Sequence, residues 1–380
     1  ADTIIIGLGG MGSAVAYQLA RRKQRVVGLE KFGPAHNRGS SHGGSRIIRQ
    51  AYYEHPAYVP LLLRAYELWR DIDQLSGQSL LSITGGLMIG SSDEGVFQGS
   101  LQSAEDHQLP HEVLNAAQLQ ARFPAFRPQA DTVALLEKAA GFLHPERSIQ
   151  AFLDQATRFG ADLHFFEPAL QWQVLPDGSG VQVITQQATY EAERLIISPG
   201  AWASELLADI GIPFQVERIA QFWMAPTNGF TNFQSARFPI FLWEIEDNIK
   251  LYGFPAMDDG TRGVKVAIYP TEQWCTPETI NRTVSPEEIA GMRQILQTYI
   301  PELNSDCLKT ITCMHTFSPD DHFIVAHHPQ HKNVIVAAGF SAHGFKFASV
   351  IGEILADLAI TGQTNHPIDL FASTRFAAET

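Results

Sequence analysis

Short apolar runs alternate along this chain with stretches whose apolar residues recur at helical spacing, the pattern of strands interleaved with helices. The chain opens on one such run, Thr3-Ile4-Ile5-Ile6, followed by a helical stretch over 13–22 and a second run, Arg25-Val26-Val27-Gly28-Leu29. Leu61, Leu62, Ala65, Leu68, Trp69 and Ile72 form one stripe and predict a helix over 58–75. Residues 81–89 read as a strand, 93–108 as a polar helix, and 148–159 as a helix N-capped by Ser148 and bounded by Gly160. Alternating runs at 163–166, 170–174 and 181–185 follow, the last two joined by the turn Pro176-Asp177-Gly178-Ser179-Gly180. Leu195-Ile196-Ile197 predicts a buried strand, 201–210 a helix, and 213–320 a β-rich region with one helix at 286–299. A buried strand at 333–338 and a helix over 346–360 close the chain, and no repeat or low-complexity segment interrupts it.

The junction of the first strand and helix carries the most specific signal. Gly7, Gly9 and Gly12 fall in G-x-G-x-x-G register, and Glu30 closes the second strand. Gly7 permits a tight turn, Gly9 lets backbone approach a pyrophosphate, and Gly12 lets the helix pack closely on the strand. The helix N-terminus offers free N–H groups to phosphate, and Glu30 can accept a ribose hydroxyl. A carboxylate there repels a 2′-phosphate, which argues against NADP but leaves NAD and FAD both open.

The elements of this cofactor-binding type recur at the start, around 148–210 and at the end, with β-rich insertions between. That interleaving suits a flavoprotein better than a dehydrogenase built as consecutive blocks. The reading is a mixed α/β (α+β) fold: a discontinuous Rossmann-like FAD-binding domain over 1–80, 148–212 and 322–380, and a β-rich substrate domain over 81–147 and 213–321.

Composition narrows the class. At 380 residues and 45% hydrophobic content, the chain can bury a large core and form two domains. A net charge of −13 without a basic run argues against a nucleic-acid surface. No apolar stretch reaches the ~20 residues of a membrane span, and no secretory signal is visible. Cys275, Cys307 and Cys313 are too few and too irregular for a disulfide framework or zinc site, so a cytoplasmic protein without a metal is expected.

Six stretches, in order, carry a resemblance over essentially the whole chain. They are the opening glycine loop; Gly39-Ser40-Ser41-His42-Gly43-Gly44-Ser45-Arg46-Ile47-Ile48-Arg49; Leu195-Ile196-Ile197-Ser198-Pro199-Gly200-Ala201-Trp202; Tyr252-Gly253-Phe254-Pro255; Cys313-Met314; and Ala338-Gly339-Phe340-Ser341-Ala342-His343-Gly344-Phe345-Lys346-Phe347. The chain resembles the monomeric sarcosine oxidase and N-methyltryptophan oxidase family, within the D-amino-acid-oxidase-like flavoproteins.

The resemblance implies FAD joined covalently to Cys313, which taken alone would read as an inert buried thiol. It implies Arg46 and His42 beside the flavin, with Ser41, Gly344 and Lys346 in the cofactor site. Arg49 and Lys346 become a clamp on the substrate carboxylate, a role that suits a planar guanidinium. Two converging cations need an acid between them, which favours an amino-acid substrate over a simple amine. Lys265, in the apolar run Val264-Lys265-Val266-Ala267-Ile268, becomes the residue that activates O₂ by stabilising superoxide. Cys275 and Cys307 are expected to be structural.

Departures fall on the substrate wall. Tyr269 stands in place of the sarcosine-oxidising members' histidine, His315 in place of a tyrosine, and Gly44 in place of an acid, while Tyr252 is kept. The stretch 258–262 is longer than the family pattern. The expectation is a monomeric oxidase of secondary, N-methyl amino acids, with O₂ as acceptor, an imine that hydrolyses, and H₂O₂ released. The Tyr269 and His315 exchange points away from sarcosine towards larger or cyclic N-substituted amino acids. Alternatives are a cyclic imino acid or glycated amino acid as substrate, an NAD-dependent dehydrogenase, and a non-catalytic flavin-binding protein.

Overall fold

The computed structural model describes residues 1–93, 95–246, 248–257 and 263–376. Its organising element is a six-stranded sheet in the order Ile324–His327, Val334–Ala338, Arg194–Ile197, Thr3–Ile6, Val26–Leu29, Asp162–His164. All pairings are parallel except the edge pair Ile324–His327 with Val334–Ala338. The apolar runs carry no alternation because both faces are covered. Ile5, Ile196 and Ile335 pack with residues of the helices Gly10–Arg21, Pro145–Arg158 and Ala348–Thr361. Ile4, Ile6 and Ile197 point the other way, into the meander of Gln171–Val174, Val181–Ile184 and Thr189–Ala192.

A nine-stranded, largely antiparallel sheet holds the rest. Near one edge, Gln215–Met224 is flanked by Cys307–Phe317 on one side and Val264–Tyr269 on the other. Ile249–Gly253 and Ile240–Glu246 continue it, and Gly86–Gly90 joins Ile240–Glu246 in parallel. The helix Pro286–Tyr299 buries Met292 and Leu296 with Phe222 and Val266. A third sheet of Arg46–Ile48, Gly141–Leu143 and Leu81–Ile83 carries the arginine loop.

Several expected elements change at their ends. The helix at 148–159 begins at Pro145, and Ser148 is no cap: its hydroxyl donates to His144 O at 2.8 Å inside the first turn. The strand at 81–89 is two strands, broken at Gly85, whose φ of +73° turns the chain from one sheet to another. Phe166 is not a strand residue but sits at φ +57° and is exposed. The helix at 201–210 is a broken series of short turns, Gly200–Trp202, Ala203–Leu206 and Ala208–Ile210. The final helix starts at Ala348, after the 3₁₀ turn Phe345–Phe347 that contains Lys346. The polar helix is Gly95–Asp106. The long stretch at 258–262 lies outside the described residues.

Candidate active site

The glycine loop has the geometry its spacing predicts. Gly7 adopts φ +87°, and a Cβ there would come 2.4 Å from Ser198 O; a Cβ at Gly12 would come 1.7 Å from Gly7 O. At Gly9 a Cβ would meet nothing within 4 Å, so that stretch of backbone is open to a ligand. It borders a cavity of about 510 Å³, a size typical of cofactor sites. Glu30 lines that cavity, accepting from Leu8 N–H at 2.8 Å through one oxygen and from Phe32 N–H at 3.0 Å through the other. A carboxylate has about four acceptor positions, so a ribose hydroxyl still finds one. Ser41 and Gly344 also lie on the cavity wall.

Towards its far end the cavity is lined by Arg46, His315, Thr316, Ala342 and Phe345. His315 Nδ1 and Thr316 Oγ1 are buried there without a hydrogen-bond partner among the described residues, as is His42 Nε2 nearby. Unpaired buried polar atoms call for a partner, and a polar ring system such as a flavin's fits that demand. Burial, followed by the positive charge of Arg46, lowers both His42 and His315 to about 3, so both imidazoles are neutral. Cys313 is fully buried behind this wall, on the same strand face as His315. Its sulfur accepts from Arg46 Nη2 and donates to Ser40 O, each at 3.3 Å. Cys275 and Cys307 are half-buried and free.

Lys265 is buried in the middle of the antiparallel sheet, not at an edge facing water. Its Nζ donates to Gly43 O at 2.7 Å, Ser45 O at 3.1 Å and Ser45 Oγ at 3.3 Å, which uses all three hydrogens of an ammonium. Burial, with Arg46 next, pushes its pKa well below the ordinary lysine value, and those oxygens work in the opposite direction. Glu146 holds the loop from behind, accepting from Gly43 N–H at 2.6 Å and Gly44 N–H at 3.2 Å.

A second, smaller cavity of about 60 Å³ lies on the other side of the shared wall. Arg46, His315, Ala342 and Phe345 line both spaces. The small one is closed by Tyr252 and Tyr269, whose rings meet edge to face at 5.7 Å, and reaches Arg49 and Lys346. Ala342 and the preceding Ser341 both have positive φ, 65° and 44°, strain of the kind stored at functional sites.

Arg49 and Lys346 are both buried, and the residue missing from the sequence reading is Glu54. One guanidinium nitrogen of Arg49, Nη2, reaches both Glu54 oxygens, at 2.7 and 2.9 Å. The expectation that both cations need a bound acid is therefore corrected for Arg49, whose acid the chain itself carries. Burial opposes the charge on both partners, yet each holds the other ionised, Arg49 above and Glu54 below its ordinary pKa. Lys346 has no such partner among the described residues, and burial followed by the Arg49 charge lowers it to about 7. A charged residue five positions after an arginine was visible in the sequence, but nothing there marked it as its partner.

A Rossmann-type loop opening on a large cavity, joined through an arginine wall to a small cationic one, defines a dinucleotide-dependent oxidoreductase. Comparison with known proteins agrees. The family described as DAO, FAD dependent oxidoreductase, matches residues 2–358. The chain is 51% identical over 378 residues to a monomeric sarcosine oxidase of Streptomyces avermitilis, covering 99% of this chain and 98% of that one. It is 31% identical over 376 residues to N-methyl-L-tryptophan oxidase of Yersinia pestis, covering 99% of each. Among solved structures it is similar to NikD, an amino acid oxidase essential for nikkomycin biosynthesis, with a TM-score of 0.83 at 23% identity over 98% of this chain and 96% of that one. L-proline dehydrogenase from P. horikoshii gives the same TM-score at 22% identity, over 99% and 97%. The chain belongs to the DAO family of FAD-dependent oxidoreductases.

Proposed function

We propose that this protein is a monomeric oxidase of N-methyl amino acids that carries FAD joined to Cys313 and uses O₂ as acceptor. One observation carries the reading: the cofactor-sized cavity and the small cavity share the wall of Arg46, His315, Ala342 and Phe345, and the small one reaches two buried cations. The names of the relatives at 51% and 31% identity support the substrate class. FAD bound here would supply the two-electron redox chemistry between the amine's C–H and O₂, by which substrate, O₂ and water yield aldehyde, amine and H₂O₂.

The chain's own residues supply position and charge. Arg49 and Lys346 hold the carboxylate, and Tyr252, Tyr269 and His315 form the wall around the amine. Arg46 and His42 would lie beside the flavin, while the glycine loop, Ser41, Glu30 and Gly344 would hold the rest of the cofactor. Lys265 supplies the positive charge that stabilises superoxide as O₂ is reduced. The parallel sheet with its helices serves as the cofactor domain and the antiparallel sheet as the substrate domain. Three free cysteines support a reducing, cytoplasmic setting.

The small cavity, about 60 Å³, favours a compact substrate such as sarcosine over the larger or cyclic ones that Tyr269 and His315 suggested. The decisive measurement is the visible spectrum of the purified protein during anaerobic titration. Oxidised-flavin absorption that bleaches with sarcosine, and returns with O₂ as H₂O₂ appears, supports the reading. A colourless protein that requires added NAD, or a yellow one that bleaches with no N-methyl amino acid, overturns it.

A further inference from the structure

Tyr52, which no sequence pattern singled out, touches both cations of the small cavity. It is fully buried. The Arg49 guanidinium lies over its ring, with Cζ 4.2 Å from the centroid. Its hydroxyl accepts from Lys346 Nζ at 3.4 Å and lies 2.6 Å from His343 Nδ1. We propose that Tyr52 is the positioning residue of the carboxylate site, its ring supporting Arg49 and its hydroxyl aiming Lys346, with the hydroxyl's direction set by His343. This rests on the reading of Arg49 and Lys346 as the carboxylate clamp.

The direction follows from donors and acceptors. His343 Nε2 lies 3.0 Å from Asp321 O, and a carbonyl can only accept, so Nε2 carries the ring proton. In the neutral imidazole, Nδ1 is then an acceptor. Among the described residues the group within reach of Nδ1 is the Tyr52 hydroxyl, at 2.6 Å, which gives it its single proton; the His343 carbonyl, 3.3 Å from the same hydroxyl, is the weaker acceptor. That leaves the oxygen's lone pairs for Lys346. Burial lowers His343 to about 4, consistent with a neutral ring. A second hydrogen of Lys346 goes to His343 O at 2.7 Å. Two of the three ammonium hydrogens are thereby committed, and the third is left for a ligand in the cavity that Lys346 lines. The charged and titratable groups facing Lys346 are Arg49, Glu54, Tyr52 and His343.

The test uses the flavin-loaded enzyme with sarcosine as substrate and butyrate as inhibitor; butyrate has the same chain shape without the amine. Tyr52→Phe keeps the ring under Arg49 and removes the hydroxyl. KM for sarcosine and Ki for butyrate are both expected to rise about tenfold, the scale of one hydrogen bond to a charged group, with kcat within about twofold. His343→Leu removes the acceptor at 2.6 Å and leaves only the backbone carbonyl of residue 343, at 3.3 Å, to direct the Tyr52 proton, so it should give the same split at smaller size. A merely structural role would lower kcat and thermal stability without separating KM from kcat. Unchanged Ki in Tyr52→Phe, alongside a large rise in Lys346→Met, overturns this inference and leaves the clamp standing. Unchanged Ki in both Lys346→Met and Arg49→Met overturns the clamp, and this inference with it.

Discussion

Arg49 and Glu54 form an ion pair inside the protein, at 2.7 and 2.9 Å, on the wall of the cavity that the amino-acid substrate is proposed to enter. A buried charge left without its partner costs several kcal/mol. Glu54→Gln is therefore expected to destabilise the ligand-free enzyme by about 3 kcal/mol in chemical denaturation. Butyrate supplies a carboxylate to the freed guanidinium, so it should raise the melting temperature of the variant more than that of the unaltered enzyme. Equal increments would mean that ligand and Glu54 do not compete for Arg49.

Cys313 touches the wall of the large cavity through Arg46 and Ser40. Acid-precipitated protein should stay yellow if the thioether is present, and Cys313→Ser should release all its flavin to the supernatant. Cys275→Ser should leave the attachment as it was. Flavin wholly in the supernatant of the unaltered protein would falsify covalent attachment.

Lys265→Met keeps roughly the volume of the side chain and removes its charge. Reoxidation of the reduced enzyme by O₂ is expected to slow by roughly 10²–10³, the usual effect of removing a preorganised charge from a transition state. Anaerobic reduction by substrate should change far less. Stopped-flow measurement of the two half-reactions separates these outcomes, and equal slowing of both would assign Lys265 a structural or substrate-binding role.

Lys346 titrates near 7 in the folded protein, against about 10.4 when unfolded. Between those values the unfolded chain binds more protons, so stability rises with pH over that window. The full penalty, roughly 4 kcal/mol, applies below pH 7. Lys346→Met should accordingly stabilise the ligand-free enzyme at pH 6.5, with the gain shrinking towards pH 10. The same shift predicts proton uptake when a carboxylate binds: near one proton at pH 8 and near none at pH 6. Calorimetry in buffers of different ionisation enthalpy reads this directly, and no uptake at pH 8 would show that Lys346 is already charged there.

The cofactor loop was legible from sequence because its constraints are local. Gly7 turns the chain at φ +87°, a Cβ at Gly12 would strike the Gly7 carbonyl in the same loop, and Glu30 follows the next strand of the same βαβ unit. The apolar runs at 3–6, 195–197 and 333–338 likewise announced strands buried on both faces, since continuous apolarity requires cover on both sides. Element ends were less legible. The split at Gly85 and the helix start at Pro145 depend on which sheet each segment joins, and a one-dimensional pattern does not contain that choice.

What only the tertiary structure decided is the set of partners. Arg46 meets Cys313 across 267 positions of sequence, Lys265 meets Gly43 across 222, and Lys346 meets Tyr52 across 294. Arg46 and Cys313 lie on strands of different sheets, Lys265 on a strand reaches the loop of Gly43, and Lys346 in a 3₁₀ turn reaches the loop of Tyr52. Hydrophobic periodicity says which face of an element is buried but not which polar groups meet inside. The same holds for the small cavity, whose walls, the Tyr252 and Tyr269 rings among them, come from segments far apart in sequence. Sequence alone determined that this chain folds around a dinucleotide; the folded structure decided what stands beside it, because desolvated charges acquire their partners only when distant segments close over them.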